Sequence, residues 1–233
     1  MLYFRSPAAD SDTDLGLGLT EARDGRSTSP LSTFSTTGFA PSVVIDTARG
    51  SVLARDLEPG DKIITRDHGL VPVRWVGESM EVYDGDAAED GTPRGPVRGK
   101  AGALGTDPDA GNVVLNAGHR VLVRNPLNEL YFGTDEVIAA IGDLTHLDGV
   151  DVVPRSVMRF RHVLLDTHEL VRANGIWVES FAPDMWAMRI GFPEQWADIT
   201  ECLPRLRYEN GEANYITPRM TLDAREARMM DAA

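Results

Sequence analysis

Few side chains in this chain could do chemistry, and His119 is the most suggestive of them. It follows Asn116 by three residues in the run VVLNAGHRVLVRN. An amide that can hydrogen-bond a peptide group therefore stands close to an imidazole that can donate a proton. A nucleophile is harder to find, because the single cysteine, Cys202, lies far along the chain in a different kind of segment.

The other histidines do not suggest a metal centre. His162 and His168 are close to Asp166 in sequence, but six residues of extended strand separate them by roughly 20 Å, too far to share one ion. We interpret them as hydrogen-bonded histidines of a β core. The acidic segment 84–90 lacks the ligand spacing and closing Glu of a calcium loop, so we expect a solvated loop. The sequence predicts no metal and no cofactor.

The elements that would position His119 are short strands. From Val43 onward, the runs VVID, SVLARDL, KIITRD and VPVRWVG are rich in Val and Ile and are separated by Gly, Pro and Asp. This pattern predicts an all-β domain with tight turns, including one at residues 66–69. The tract RSTSPLSTFSTTG before it is of low complexity, so residues 1–37 are interpreted as an arm. Residues 183–233 are predicted to form a partly helical C-terminal extension.

Bulk composition excludes several classes of function. The 233 residues carry a formal net charge of −13, which disfavours binding to nucleic acid or to an anionic membrane surface. No window approaches the roughly 18 apolar residues of a membrane span. No standard signal peptide is visible. We therefore expect a cytoplasmic protein, or one exported by a route without such a signal.

Three blocks of sequence together resemble one family. Residues 38–77 resemble the opening of a Hint domain, the autoprocessing module of Hedgehog proteins and inteins, in its bacterial branch. The second block, 101–123, contains His119, and the third, 162–181, contains His168 and the pair Glu179-Ser180. The resemblance covers about residues 38–182, the predicted β domain. It implies a horseshoe of short, twisted antiparallel strands.

The resemblance also implies which residues should act, and the first of them is missing. Hint chemistry starts with a cysteine at the first position of the domain, whose thiolate attacks the preceding carbonyl. Here that position is Gly38, which has no side chain. The hydroxyls of Thr36, Thr37 and Ser42 are the nearest substitutes, but a shift of one residue along a strand reverses the side-chain direction.

Two further departures concern the histidine block and the end of the domain. The family pattern has Ser or Thr where this chain has Asn116, which can still hydrogen-bond a backbone group. His119 is then either a remnant of the general acid or, as we favour, a structural histidine. Inteins end in His-Asn, whereas this chain has Glu179-Ser180, as the bacterial relatives do, so splicing is not expected. The vestigial site is predicted to comprise Gly38, Asn116, His119 and His168.

The sequence therefore predicts a Hint-like domain that has lost autoprocessing and acts as a structural or protein-binding component of an assembly. The alternative is residual self-cleavage at the 37/38 junction by a nearby hydroxyl and His119. The expected partner is another protein or a subunit of the assembly, contacted by the N-terminal arm. The aromatic residues Trp177, Phe181, Trp186 and Trp196 either pack the extension on the β domain or form an interaction surface.

Overall fold

The computed structural model describes residues 3–5, 37–83, 95–104 and 110–230, and for residues 3–5 it describes the backbone alone. The strands are β1 (Tyr3–Arg5), β2 (Val44–Thr47), β3 (Gly50–Leu53), β4 (Lys62–Thr65), β5 (Gly69–Pro72), β6 (Trp75–Val82), β7 (Val97–Gly99), β8 (Val113–Leu115), β9 (Arg120–Arg124), β10 (Glu136–Ala140), β11 (Val150–Val152), β12 (Val157–Leu164), β13 (Leu170–Ala173), β14 (Ile176–Glu179) and β15 (Met220–Thr221). The helices are α1 (Asn128–Phe132), α2 (Met185–Gly191), α3 (Pro193–Cys202), α4 (Glu209–Ala213) and α5 (Ala224–Arg228).

The described strands form three sheets. The largest has the order β15-β10-β9-β14-β13-β2-β4-β5, with β3 paired to β2; the two smaller sheets are β1-β6-β12 and β11-β7-β8. The strand pairings in the described part of the chain are antiparallel, except that β15 pairs with β10 in parallel. The prediction of a mostly β fold with a helical C-terminal portion is confirmed.

The hairpins that open the domain follow from local sequence. β2 and β3 are joined by two residues, and Gly50 after this loop has a φ of 100°, a value that suits glycine. The Thr47 hydroxyl donates to the Gly50 carbonyl at 2.6 Å and braces the turn. β4 and β5 form a second hairpin around residues 66–68, where the sequence predicted a turn.

The helical segment packs on the β domain through a second apolar core, which is separate from the larger core formed mainly by the strands. Trp75 of β6 and Leu164 of β12 contact buried residues of the helices, among them Met188 and Ile199. α2 begins at an N-cap, because the Asp184 carboxylate accepts the Ala187 N–H at 2.9 Å. Among the described residues, no helix is both long enough and apolar enough to cross a bilayer.

Several predicted features fall on residues that the structure does not describe. The Ser/Thr-rich part of the arm up to residue 36 and the acidic segment 84–90 lie outside the described ranges. The boundaries proposed at residues 38 and 182 stay predictions. Within the arm, β1 pairs with β6 of the same chain, which places three of its residues in the domain's own sheet.

Candidate functional site

Gly38 lies in an extended segment held between two strands. The Phe39 N–H donates to the Arg161 carbonyl at 2.9 Å, and the Arg161 N–H donates back at 2.8 Å. On the other side, the Ala40 N–H donates to the Val114 carbonyl at 3.0 Å. Backbone pairing on both sides therefore fixes the peptide that joins residues 37 and 38 inside the domain.

His119 contacts this peptide directly. Its Nδ1 accepts the Gly38 N–H at 3.0 Å, and its Nε2 lies 2.8 Å from the Glu179 carbonyl oxygen. A carbonyl only accepts, so the neutral ring carries its proton on Nε2 and leaves Nδ1 as an acceptor. His119 is fully buried, and burial lowers its pKa, which favours the neutral ring. The edge of the ring meets Phe39, with the two centroids 4.7 Å apart.

Asn116 contacts Gly38 through its backbone and not through its side chain. Its N–H donates to the Gly38 carbonyl at 3.0 Å. Its side-chain amide donates to a carboxylate oxygen of Glu81, and its Oδ1 accepts the Gly118 N–H at 3.3 Å. The side chain expected to hold a scissile peptide is thus occupied by bonds internal to the fold.

Sequence reasoning missed Glu81. This buried carboxyl also accepts the Tyr83 hydroxyl at 2.7 Å. Burial raises its pKa, although the hydrogen bonds from Tyr83 and Asn116 oppose the rise. The only signal in the sequence was the i, i+2 spacing of Ser79 and Glu81, which places both on one face of β6.

Phe160 is the second residue that the sequence did not indicate. A Cβ built on Gly38 would lie 2.7 Å from the Phe160 Cβ and 3.0 Å from its Cγ. Phe160 is fully buried, so it has little freedom to move away. The space next to residue 38 is occupied by this ring.

His168 belongs to a different cluster, at the end of β14. Its Nε2 lies 3.1 Å from Oε2 of Glu179, and its ring stacks on Tyr215 with centroids 5.8 Å apart. The Glu179 carboxylate is completely buried and also accepts the Arg120 N–H at 3.0 Å. Burial opposes ionisation of Glu179, but the His168 hydrogen bond and the Arg120 charge outweigh it and lower the pKa of this carboxyl.

The buried histidines His119, His162 and His168 do not come together in one site. His162 contacts the Ser79 hydroxyl at 2.7 Å, and burial lowers the pKa of His162 to about 3. Gly38, Asn116 and His119 are in contact, whereas His168 reaches them only through Glu179. In the part of the chain that the structure describes, no group of three His, Cys, Asp or Glu side chains is placed to hold a metal ion.

The four aromatic residues proposed as packing or interaction residues divide between the two roles. Phe181 is only 2% exposed and packs in the second core, so it is removed from the candidate surface. Trp196 is partly buried against that core, and Trp177 lies under the Arg66 guanidinium at 5.4 Å. Trp186, at 71% exposure, is the member that a partner could reach.

Solved structures similar to this chain are inteins. The MchDnaB-1 intein (N145AA) has 14% identity and a TM-score of 0.39, over 62% of this chain and 99% of that one. A DnaB intein from Synechocystis sp. PCC 6803 has 16% identity and a TM-score of 0.35, over 62% and 99%. The TvoVMA intein has 10% identity and a TM-score of 0.42, over 62% and 97%.

A comparison with curated proteins finds no match. A comparison with family models matches residues 37–185, well over half of the chain, to the Hint domain. The match spans the Gly38 segment, the histidine block around His119 and the strands that end at Glu179. The chain therefore belongs to the Hint domain family.

Proposed function

We propose that this chain is a Hint domain that has lost autoprocessing and serves as a structural or protein-binding component of a larger assembly. We place it in the bacterial Hedgehog/intein-type branch, with Gly38 at the position of the nucleophilic cysteine. The chemistry of the family needs a side chain there that attacks the carbonyl of residue 37. Glycine supplies none, so conversion of the peptide to a thioester has no attacking group.

The observation that carries the proposal is the contact between Gly38 and Phe160. A Cβ here would lie 2.7 Å from the Cβ of buried Phe160 and 3.0 Å from its ring, so the backbone at this position fits glycine and excludes a larger residue in the same arrangement. Loss of the nucleophile is therefore accompanied by packing that fills its place. A site that had lost only one side chain would keep room for it.

The polar groups around Gly38 support the same conclusion. His119 presents an unprotonated Nδ1 to the Gly38 N–H, so it holds no proton to give to a departing nitrogen. The Asn116 amide is engaged by Glu81. Both side chains act as internal hydrogen-bond partners of the fold.

One observation favours the alternative, residual self-cleavage by a hydroxyl near residue 37. His119 Nδ1 stands 3.0 Å from the nitrogen that would depart, which is within reach for proton transfer. Cleavage would require protonation of Nδ1, and burial disfavours the charged ring. The alternative therefore predicts a slow reaction that accelerates at lower pH and depends on His119.

Intact mass spectrometry separates the two functions. A small domain is fused before Met1, and the purified chain is incubated for days at pH 6 and pH 8, with and without thiol. We expect a single unchanged mass. A fragment that begins near Gly38 and disappears with His119→Ala would overturn the proposal.

The double variant Gly38→Cys/Phe160→Gly serves as the comparison, since it restores a thiol and removes the Phe160 Cβ and ring beside it. If this variant releases a thiol-dependent fragment while the unmodified chain does not, the defect is located at positions 38 and 160. Stability of both chains to heating is measured in parallel, so that unfolding is not mistaken for an inactive site.

A further inference from the structure

The outer edge of β6 is covered by the chain's own first strand. On one side, β6 pairs with β12 through eight residues, Val157–Leu164. On the other side, Glu78–Met80 pair with Tyr3–Arg5 of β1. Without β1, the backbone N–H and C=O groups on this side of Glu78–Met80 would form an open edge, which is a template for any extended chain.

β1, the strand that covers this edge, is short, and a long stretch of sequence separates it from the rest of the domain. Three residue pairs hold β1, compared with eight on the β12 side. Residues 6–36, 31 in number, separate β1 from Thr37. A chain of that length spans up to about 100 Å when extended, far enough to reach the same edge of a neighbouring molecule.

The backbone register of β1 on β6 is fixed. It places Tyr3 opposite Met80, Phe4 opposite Ser79 and Arg5 opposite Glu78. The same strand from a second copy can take the same register, because the backbone groups of Glu78–Met80 are the same in every copy.

We propose that the edge of β6 is a strand-docking site for a second copy of this chain, which exchanges its Tyr3–Arg5 strand with that of the first. Each exchanged strand makes the contacts that it makes within its own chain, so exchange needs no new interface. The inference rests on the proposed function, because an assembly supplies the high local concentration that lets a neighbouring strand compete. It identifies the subunit contact as backbone pairing at β6.

Disulfide trapping between two distinguishable chains tests the exchange. Both chains carry Cys202→Ser. One also has Arg5→Cys, and the other, made heavier by a tag, has Glu78→Cys. A disulfide between them can form only if the strand of one copy docks on the β6 of the other. The mixture is equilibrated in a glutathione redox buffer and analysed by non-reducing electrophoresis and mass spectrometry.

The expected result is a disulfide-linked heterodimer whose yield rises with concentration. A tether gives the chain's own strand an effective concentration of about 1 mM, so we expect roughly 1% heterodimer at 10 μM and about half at 1 mM. A matched control has Glu58→Cys, an exposed position outside β6, in place of Glu78→Cys. The control pair should give at least tenfold less heterodimer at each concentration.

A third chain, Arg5→Cys/Glu78→Cys, distinguishes the failures. An intramolecular disulfide in this chain without heterodimer in the mixture overturns the exchange and leaves the pairing within one chain. If neither the third chain nor the mixture forms a disulfide, the pairing of β1 with β6 is itself overturned. If the Glu58→Cys control pair gives as much heterodimer as the test pair, docking at the edge of β6 is overturned. Failure of the proposed function would be seen separately, as a fragment beginning near Gly38 in the intact-mass experiment.

Discussion

The two ends of the Hint domain meet at His119, and they differ in how each is stabilised. At the beginning, Gly38 offers only backbone to Nδ1, and Phe160 fills the adjacent space. At the end, the Glu179 carbonyl accepts a hydrogen bond from Nε2, and the buried, ionised carboxylate of Glu179 contacts Arg120 and His168. The first end depends on close packing, and the second depends on electrostatics.

Two kinds of interaction therefore hold the two ends of the domain. The imidazole of His119 joins the extended segment at Gly38 to Glu179, the last residue of β14, although these residues are far apart in sequence. Its two nitrogens are satisfied by backbone groups, so the ring acts as a cross-link between Gly38 and Glu179. Mutations at the two ends should therefore lower stability for different reasons and respond differently to pH.

The largest effect is expected at the electrostatic end, from Glu179→Gln. This change removes a buried charge that pairs with Arg120, which costs about 3–5 kcal/mol of unfolding free energy. Urea denaturation measures it. Asp61→Asn, at the more exposed pair with Arg49, is the control and should cost under about 1 kcal/mol. Equal losses in the two variants would contradict the distinction between the ends.

At the packing end, Gly38→Ala should lower the unfolding free energy by about 1–3 kcal/mol, because the added Cβ collides with Phe160. The same substitution in a Phe160→Gly background should cost close to nothing, since both the Phe160 Cβ at 2.7 Å and the ring are gone. A double-mutant cycle by urea denaturation gives the coupling. If the cost of Gly38→Ala is unchanged without the ring, steric exclusion at residue 38 is refuted.

The part of this comparison that the sequence could predict is local. The runs VVID and KIITRD became β2 and β4, and the turn at residues 66–69 joins β4 to β5, because propensity and turn residues determine these elements. The run VVLNAGHRVLVRN contains β8 and β9, which follow each other closely in sequence but lie in different sheets. Pairing between distant strands is decided by burial and register, which a single sequence does not specify.

The candidate site was predictable only in part. Gly38, Asn116 and His119 do meet, but His168 lies in a separate cluster. Phe160 was visible only as an apolar residue of a strand, and nothing indicated that it would face a glycine over a hundred residues earlier. Glu81 was likewise hidden, because its raised pKa and its bond to Asn116 arise only in the folded chain.

The unfolding free energy should also depend on pH, through the buried histidine His162. His162 is buried with a pKa of about 3, well below the ordinary 6.5, so the unfolded chain binds a proton there that the folded chain does not. Its contribution to stability is complete above about pH 6.5 and is lost as the pH falls, by about 1.4 kcal/mol per pH unit. Thermal and urea unfolding between pH 6 and pH 4 should show a shallower dependence in His162→Gln by that amount. An equal slope in His162→Gln and in the unmodified chain would contradict burial of a neutral imidazole at this position.

The smallest effect is expected where the C-terminal segment is attached to Glu136 of β10. Arg219 donates to both Asp67 oxygens at 2.8 and 2.9 Å and to Glu136 at 2.8 Å, just before β15. Because this cluster is partly solvated, Arg219→Gln should cost about 0.5–1 kcal/mol. It should, however, speed limited proteolysis after residue 203, since β15 would lose its main polar attachment. Arg228→Gln, exposed in α5, should leave the proteolysis rate unchanged. Equal rates in the two variants would mean that the apolar contacts of Leu222 and Ala227 hold this segment, and that charge pairing matters only inside the domain.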